Sequence, residues 1–179
     1  MKKDQIIIRR VDIAEIEADA LVNAANEDLA AGSGICGALF EAAGYDELTR
    51  ACQKIGHCDT GKAVITPAFK AKARYIIHAV GPIWNGGKYG EAGQLRGCYE
   101  ESLKLAAEYG CRRIVFPVIS SGIFGYPKEE AWTIALSACR DYLDAHPEQD
   151  LEIIFVARSR ELTETGERVL KAIYIDGQC

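Results

Sequence analysis

Two loops of this 179-residue chain hold the residue types that could grip a phosphorylated ligand. The first runs from Asn23 to Gly37, NAANEDLAAGSGICG, and the second from Pro117 to Pro127, PVISSGIFGYP. Glycine lets a backbone approach a ligand closely, and the start of a helix offers unpaired N–H groups with a dipole that favours an anion. If each loop leads from a strand into a helix, the pair would hold a diphosphate from two sides. Within the first, Gly32-Ser33-Gly34-Ile35-Cys36-Gly37 matches G-x-G-x-x-G, but a polar stretch separates Val22 from those glycines where a dinucleotide fingerprint needs a tight turn. Asp59, at the distance of the ribose-binding acid, precedes a strand instead of ending one. Gly37 is followed by Ala38-Leu39 and no Lys-Ser/Thr pair, which excludes a Walker loop. A single such loop reads as a turn; two together argue for a ligand.

Other polar residues have plain structural readings. Asp12 suits a helix or turn cap. Asn23 reads as a buried backbone clamp, and His78, in Tyr75-Ile76-Ile77-His78, as a satisfied core histidine. His57 and His146 fall at loop positions with no visible partner, while Trp132 belongs to an apolar helical stripe.

Positioning these loops requires strands that end beneath them. Ile6-Ile8, Ala20-Val22, Ala63-Ile65, Tyr75-Ile77, Ile114-Phe116 and Ile153-Val156 are short, β-branched and continuously apolar, as strands covered on both faces must be. Between several of them lie helical stripes. One helix should start near Ile35; another should span Gln94 to Tyr109 on Leu95, Tyr99, Leu103 and Ala106 and stop at Gly110. A further stripe on Trp132, Ala135, Leu136, Cys139 and Leu143 should end at His146-Pro147, and Leu162, Val169 and Ile173 mark a last, weaker helix. The alternation predicts an α/β fold, a three-layer α/β/α sandwich around a largely parallel mixed sheet, with residues 1–179 as one domain. In such sheets ligands sit beyond the carboxyl ends of the strands, which is where both loops fall.

Composition narrows the ligand. Twenty-one basic against 26 acidic residues leave a net charge of −5, which excludes the broad basic footprint that duplex nucleic acid demands. A small anion must then be held by backbone donors. Seven cysteines, none in a C-x-x-C pair, offer neither metal-ligand spacing nor a complete disulfide framework. The apolar run of MKKDQIIIRR ends at Ile8, too short for a signal-peptide core, and no later segment is long enough for a membrane span. A reducing, cytoplasmic setting is the expectation.

The runs DALVNAANEDLAAGSGICGALFEAAG, CDTGKAVITPAFKAKARYIIHAVGPIW and FPVISSGIFGYPKEEA resemble the macrodomain family in order and spacing, over nearly the whole chain from Val11-Asp12-Ile13 to Ile154-Phe155-Val156. The nearest likeness is to bacterial stand-alone MacroD-type O-acetyl-ADP-ribose deacetylases. The resemblance implies that Asp12, with Ile13 beside it, accepts a hydrogen bond from the adenine amine, and that Asn26 binds the distal ribose. It implies that Gly34, Ile35, Cys36 and Gly37 form one phosphate loop. The same resemblance implies that Ser120, Ser121, Gly122, Ile123 and Phe124 form the other, with Phe124 as an aromatic lid over the distal ribose. The chemistry agrees, since an amide reads hydroxyls, a carboxylate reads an exocyclic amine and N–H groups hold a diphosphate. No metal or cofactor is implied. The expected ligands are ADP-ribose or O-acetyl-ADP-ribose, and ADP-ribosylated proteins.

Two positions depart from the hydrolytic pattern. Relatives carry G-G-G-V-D-G in the first loop, with an Asp proposed to help activate water; here that position is Cys36, and the His often found four residues later is Phe40. General-base assistance is typically worth roughly 100-fold to 10,000-fold, so its loss slows turnover without abolishing it. Three accounts follow: a hydrolase whose water is positioned by Asn26 and a substrate phosphate oxygen, a non-catalytic ADP-ribose reader, or Cys36 as a nucleophile activated by the helix N-terminus. As a small loop filler, Cys36 would have no chemistry at all. The first account is favoured because a chain read as one domain has no second domain to use a passive reader. Arg158 stands where relatives often have an aromatic that stacks on adenine, and its guanidinium either takes that role or points to solvent.

Overall fold

The structure, a computed structural model, describes residues 1–176. Six strands, β1 (Ile6–Arg10), β2 (Ala20–Ala25), β3 (Ala63–Pro67), β4 (Tyr75–Val80), β5 (Arg113–Phe116) and β6 (Glu152–Ala157), form one sheet in the order β1-β6-β5-β2-β4-β3. Every neighbouring pair is parallel except β3 with β4, which is antiparallel and makes the sheet mixed. The apolar runs correctly locate all six strands. Burial separates centre from edge: β2, β4 and β6 are almost wholly buried, whereas edge strands β1 and β3 each fully bury a single residue, Ile6 and Thr66.

Five helices cover the two faces: α1 (Gly34–Ala43), α2 (Tyr45–Ile55), α3 (Glu91–Glu108), α4 (Lys128–Ala145) and α5 (Arg160–Asp176). The face carrying Val22, Ile77 and Phe116 packs under α3, α4 and α5. The opposite face, with Leu21, Ile76 and Val115, packs under α1, α2 and a single 3-10 turn at Ile13–Glu15. Successive strand residues point to opposite faces, so Leu21 and Val22 join different cores. Trp132 is core, as its stripe implied, packing tilted on Phe155 at a ring distance of 5.4 Å and donating its Nε1–H to Leu162 O at 2.9 Å. A Cβ at Gly166 would lie 2.6 Å from that indole, so glycine is what lets α5 lie on Trp132. The expected α/β/α sandwich is what forms.

Helix α2 has no counterpart in the sequence reading. Its sequence, YDELTRACQKI, buries only Leu48 and Cys52, one i, i+4 pair, and that stripe is too narrow to stand out from a polar segment. Among the described helices, none is long and apolar enough to cross a membrane.

Candidate functional site

Neighbouring strands β2 and β5 send their chains to opposite faces of the sheet, β2 towards α1 and β5 towards α4. Their carboxyl ends therefore part at a topological switch point, the place where an open α/β sheet leaves a crevice for a ligand. Both glycine-rich loops leave from it.

The first loop starts later than the sequence implied. β2 continues to Ala25, so Asn23 lies inside the strand, paired in register with His78 of β4. It is buried, but it clamps side chains where a backbone clamp was expected: Asn23 Nδ2 donates to His78 Nδ1 at 3.1 Å and to Cys36 Sγ at 3.6 Å. His78 is a satisfied core histidine, as expected, and its Nε2 lies 3.0 Å from Thr66 Oγ1 and 3.8 Å from Cys52 Sγ. Burial lowers its pKa to about 4, so the ring is neutral; an amide donor on Nδ1 then puts the proton on Nε2. Burial, with Cys36 nearby, raises the Cys52 thiol to about 11.

From Asn26 the chain folds into a closed turn. Asn26 Oδ1 accepts from Ala30 N–H and Nδ2 donates to Ala30 O, each at 3.0 Å. Cys36 is buried, its thiol 3.7 Å from Ala30 O and facing Asn23. That is the geometry of the loop-filling role. Ser33, the residue capping α1, makes no side-chain cap bond, and the N–H groups of Gly34, Ile35 and Cys36 bond to no carbonyl among the described residues. Gly37 is fixed by sterics, since a Cβ there would sit 2.7 Å from Gly32 O.

The second loop differs from its expected form in one respect. It does not run straight into a helix N-terminus: α4 begins only at Lys128, after Pro127, and its first turn carries Glu129 and Glu130, which repel an anion. Any anion held here must be held by the loop itself. Ser120 adopts a left-handed φ of 67°, its Oγ donating to Pro82 O at 2.7 Å. Tyr126 N–H returns to Ser120 O at 2.9 Å, and Ser121 Oγ donates to Val118 O at 2.7 Å. Inside that loop the N–H groups of Gly122, Ile123 and Phe124 have no hydrogen-bond acceptor among the described residues. Ile123 is 91% exposed.

At the other end of the crevice, Asp12 caps the 3-10 turn, as its residue type allows, accepting from Ala14 N–H at 3.0 Å with Oδ1. Its Oδ2 lies 3.9 Å from an Arg158 guanidinium nitrogen. Arg10 Nε donates to Arg158 O at 2.9 Å, tying the exits of β1 and β6 together. Ile13, by contrast, is buried in the core, so only its backbone is free to meet a ligand.

Two groups escaped the sequence reading. The segment after β4 is a tightly held strap: Glu91, buried at the start of α3, accepts from the N–H groups of Asn85 at 2.9 Å, Gly87 at 2.8 Å and Tyr89 at 2.6 Å. Desolvation pushes that carboxyl's pKa up, but the amide bonds outweigh it and the net shift is downward. Trp84 N–H donates to Phe124 O at 2.8 Å, joining the strap to the second loop. The other group is an exposed cluster: His57 Nε2 lies 2.8 Å from Asp59 Oδ1, and Glu27 completes a set whose ligating atoms all fall within 4.8 Å of one another. Glu27 Oε2 also accepts from Thr60 N–H and Oγ1. Glu91 gathers amides of the loop just before it without a recognisable motif, and Glu27 meets His57 and Asp59 only through loop packing.

Comparison with known proteins agrees with this geometry. The family described as Macro domain matches residues 22–135. A Macro domain-containing protein of Chlorobaculum tepidum is 48% identical over 142 residues, covering 78% of this chain and 82% of its own. The ADP-ribose glycohydrolase MACROD1 of Mus musculus is 44% identical over 147 residues, 82% of this chain and 45% of its own. A variant of the Oceanobacillus iheyensis macrodomain, solved with ADPR, superposes with a TM-score of 0.85 at 35% identity, covering 94% of this chain and 92% of that one.

Proposed function

The chain belongs to the Macro domain family, and on that basis we propose that its crevice binds ADP-ribose and hydrolyses esters of it, either O-acetyl-ADP-ribose or ADP-ribose linked to protein carboxylates. One observation carries the proposal. Two sets of backbone N–H groups without acceptors stand on neighbouring strand ends, Gly34 to Cys36 after β2 and Gly122 to Phe124 after β5. A diphosphate is the ligand such donors suit. Asp12 and Arg158, on the exits of β1 and β6, then have adenine within their chemistry: a carboxylate accepts from an exocyclic amine, and a guanidinium stacks on a ring. The bound ADPR of the Oceanobacillus iheyensis structure and the glycohydrolase activity in the mouse relative's name support the same ligand class.

In this reading no protein carboxylate takes a proton from water. Asn26 and a substrate phosphate oxygen orient a water molecule; the water supplies hydroxyl to the acyl carbon, and the ribose oxygen leaves with a proton as the alcohol. The thiol of Cys36 takes no part, because it is buried and turned towards Asn23 and Ala30. A second reading, binding without turnover, is favoured by the same facts: neither Cys36 nor Phe40 can act as a base, and Asn26 is bonded within its own loop.

Single-turnover hydrolysis of O-acetyl-ADP-ribose separates them, run beside Asn26→Ala and Cys36→Ala. Turnover by the parent that is lost in Asn26→Ala and kept in Cys36→Ala establishes the hydrolase. Absent turnover, with ADP-ribose still binding by calorimetry, establishes the reader for this substrate.

A further inference from the structure

The sheet order gives the crevice a direction. Asp12 and Arg158 leave the exits of β1 and β6, the two acceptor-free N–H sets leave those of β5 and β2, and the next exit along the sheet is that of β4. A ligand laid with its adenine by Asp12 and its phosphates at the β5–β2 junction must present its far ribose, and whatever is attached to that ribose, towards the chain leaving β4.

That chain is the strap. It is joined to the crevice by the Trp84 N–H bond to Phe124 O at 2.8 Å, the Ser120 Oγ bond to Pro82 O at 2.7 Å and the packing of Trp84 on Tyr126 at a ring distance of 4.7 Å. It is also stiff, because one Glu91 carboxylate accepts three of its amides, and Gly87 lies so close to the Trp84 ring that a Cβ would reach it at 2.8 Å. Yet this segment displays large apolar side chains to solvent. Ile83 is 58% exposed and Tyr89 74%, and Ile123, 91% exposed, precedes Phe124 as Ile83 precedes Trp84. Exposed apolar groups on a rigid, pre-ordered rim lose little freedom when a partner covers them.

We propose that the Ile83–Tyr89 strap, with Ile123, is the docking surface for the acceptor polypeptide of an ADP-ribosylated protein, taking an apolar side chain next to the modified carboxylate. The proposal rests on the reading of the crevice as an ADP-ribose site and adds the partner. Its occupant follows from continuity: a chain esterified to the far ribose emerges over β4's exit and meets this rim, whereas free ADP-ribose or an acetyl ester ends before it.

A catalysis-independent comparison tests it. The probe is a synthetic peptide with an apolar residue beside an ADP-ribosylated side chain, the ester replaced by a hydrolysis-resistant amide, titrated beside free ADP-ribose. The parent protein is expected to bind the conjugate about fivefold or more tightly than ADP-ribose, and an Ile83→Ser/Tyr89→Ala variant to lose that gain while its ADP-ribose affinity stays within about twofold. Both substitutions are at exposed positions, and an unchanged ADP-ribose affinity shows that the fold is intact. Equal affinity of the parent for both ligands, or a gain that survives in the variant, overturns the proposal. Failure of the parent to bind ADP-ribose itself overturns the crevice reading, and this proposal with it.

Discussion

Asn26 spends both of its amide atoms on one residue: Oδ1 accepts from Ala30 N–H and Nδ2 donates to Ala30 O, each at 3.0 Å. The side chain thus imitates a backbone turn and closes the first loop over Cys36, whose thiol lies 3.7 Å from the same Ala30 carbonyl. Each atom keeps a second site, one Nδ2–H and one Oδ1 lone pair, with which Asn26 can meet a ribose hydroxyl while the turn stays closed. In the proposed reading the turn therefore aims Asn26 at the ligand.

Asn26→Ala should therefore do two things. Losing the turn should lower stability by about 1 kcal/mol, read as a drop in Tm. Losing the ribose contact should reduce turnover more than ADP-ribose affinity. A variant whose affinity falls as far as its turnover would assign Asn26 to loop shape alone.

Asp12 divides its carboxylate between two tasks. Oδ1 caps the turn at Ala14, while Oδ2 lies near Arg158 and faces the crevice end assigned to adenine. Asp12→Ala should cost about 1 kcal/mol of stability through the cap and weaken ADP-ribose binding by roughly 1.5–3 kcal/mol through the charge-assisted bond. Asp12→Asn keeps a capping oxygen and should separate the two effects. Unchanged calorimetric affinity in Asp12→Ala would remove the adenine assignment. For Arg158, which is exposed, the check is base selectivity: strong preference for ADP-ribose over its guanine analogue, unaltered in Arg158→Ala, would leave that arginine without a role.

The first loop should also be sensitive to one methyl group. A Cβ at Gly37 would meet Gly32 O at 2.7 Å, and that oxygen belongs to the backbone, so the loop has to move to make room. Overpacking of this kind costs about 1–3 kcal/mol. Because the displaced segment leads into the acceptor-free N–H groups of Gly34 to Cys36, Gly37→Ala should weaken ADP-ribose binding as well as lower Tm. A Tm loss with affinity intact would mean that this helix start does not hold the phosphates.

The parts legible in the sequence were those with a continuous local signal. Six apolar runs marked the six strands, and Leu95, Tyr99 and Trp132 marked helices by their spacing. Leu48 and Cys52 alone could not mark α2, and nothing in Asn85-Gly86-Gly87-Lys88-Tyr89-Gly90 announces that a glutamate at the next position gathers three of its amides. The end of β2 was hidden for another reason. Asn23 is a polar residue inside a strand, tolerated because His78 across the register accepts a hydrogen bond from its amide N–H, and a partner 55 residues away leaves no local trace. The helix after the second loop looked like an anion site by analogy with α1, until Glu129 and Glu130 proved to occupy its first turn.

That Asn23–His78 pair carries the last prediction, a pH dependence. His78 is fully buried and desolvation holds its pKa at about 4, whereas in the unfolded chain an imidazole titrates near 6.5. Below pH ~6.5 the unfolded state binds a proton that the folded state refuses, so stability falls with pH across that window and the loss is complete below about pH 4. The full difference amounts to about 3 kcal/mol, of which about 2 kcal/mol should be gone by about pH 5. Protonation of the folded ring would turn Nδ1 from acceptor to donor against the Asn23 amide, which itself reaches Cys36 at 3.6 Å, so ADP-ribose affinity should hold through most of that window and weaken only as pH approaches about 4. Urea unfolding at about pH 7 and about pH 5, for the parent and for His78→Gln, reads this directly. The variant should be less stable at neutral pH but lose far less on acidification; parallel losses in the two proteins would place the acid-sensitive group elsewhere.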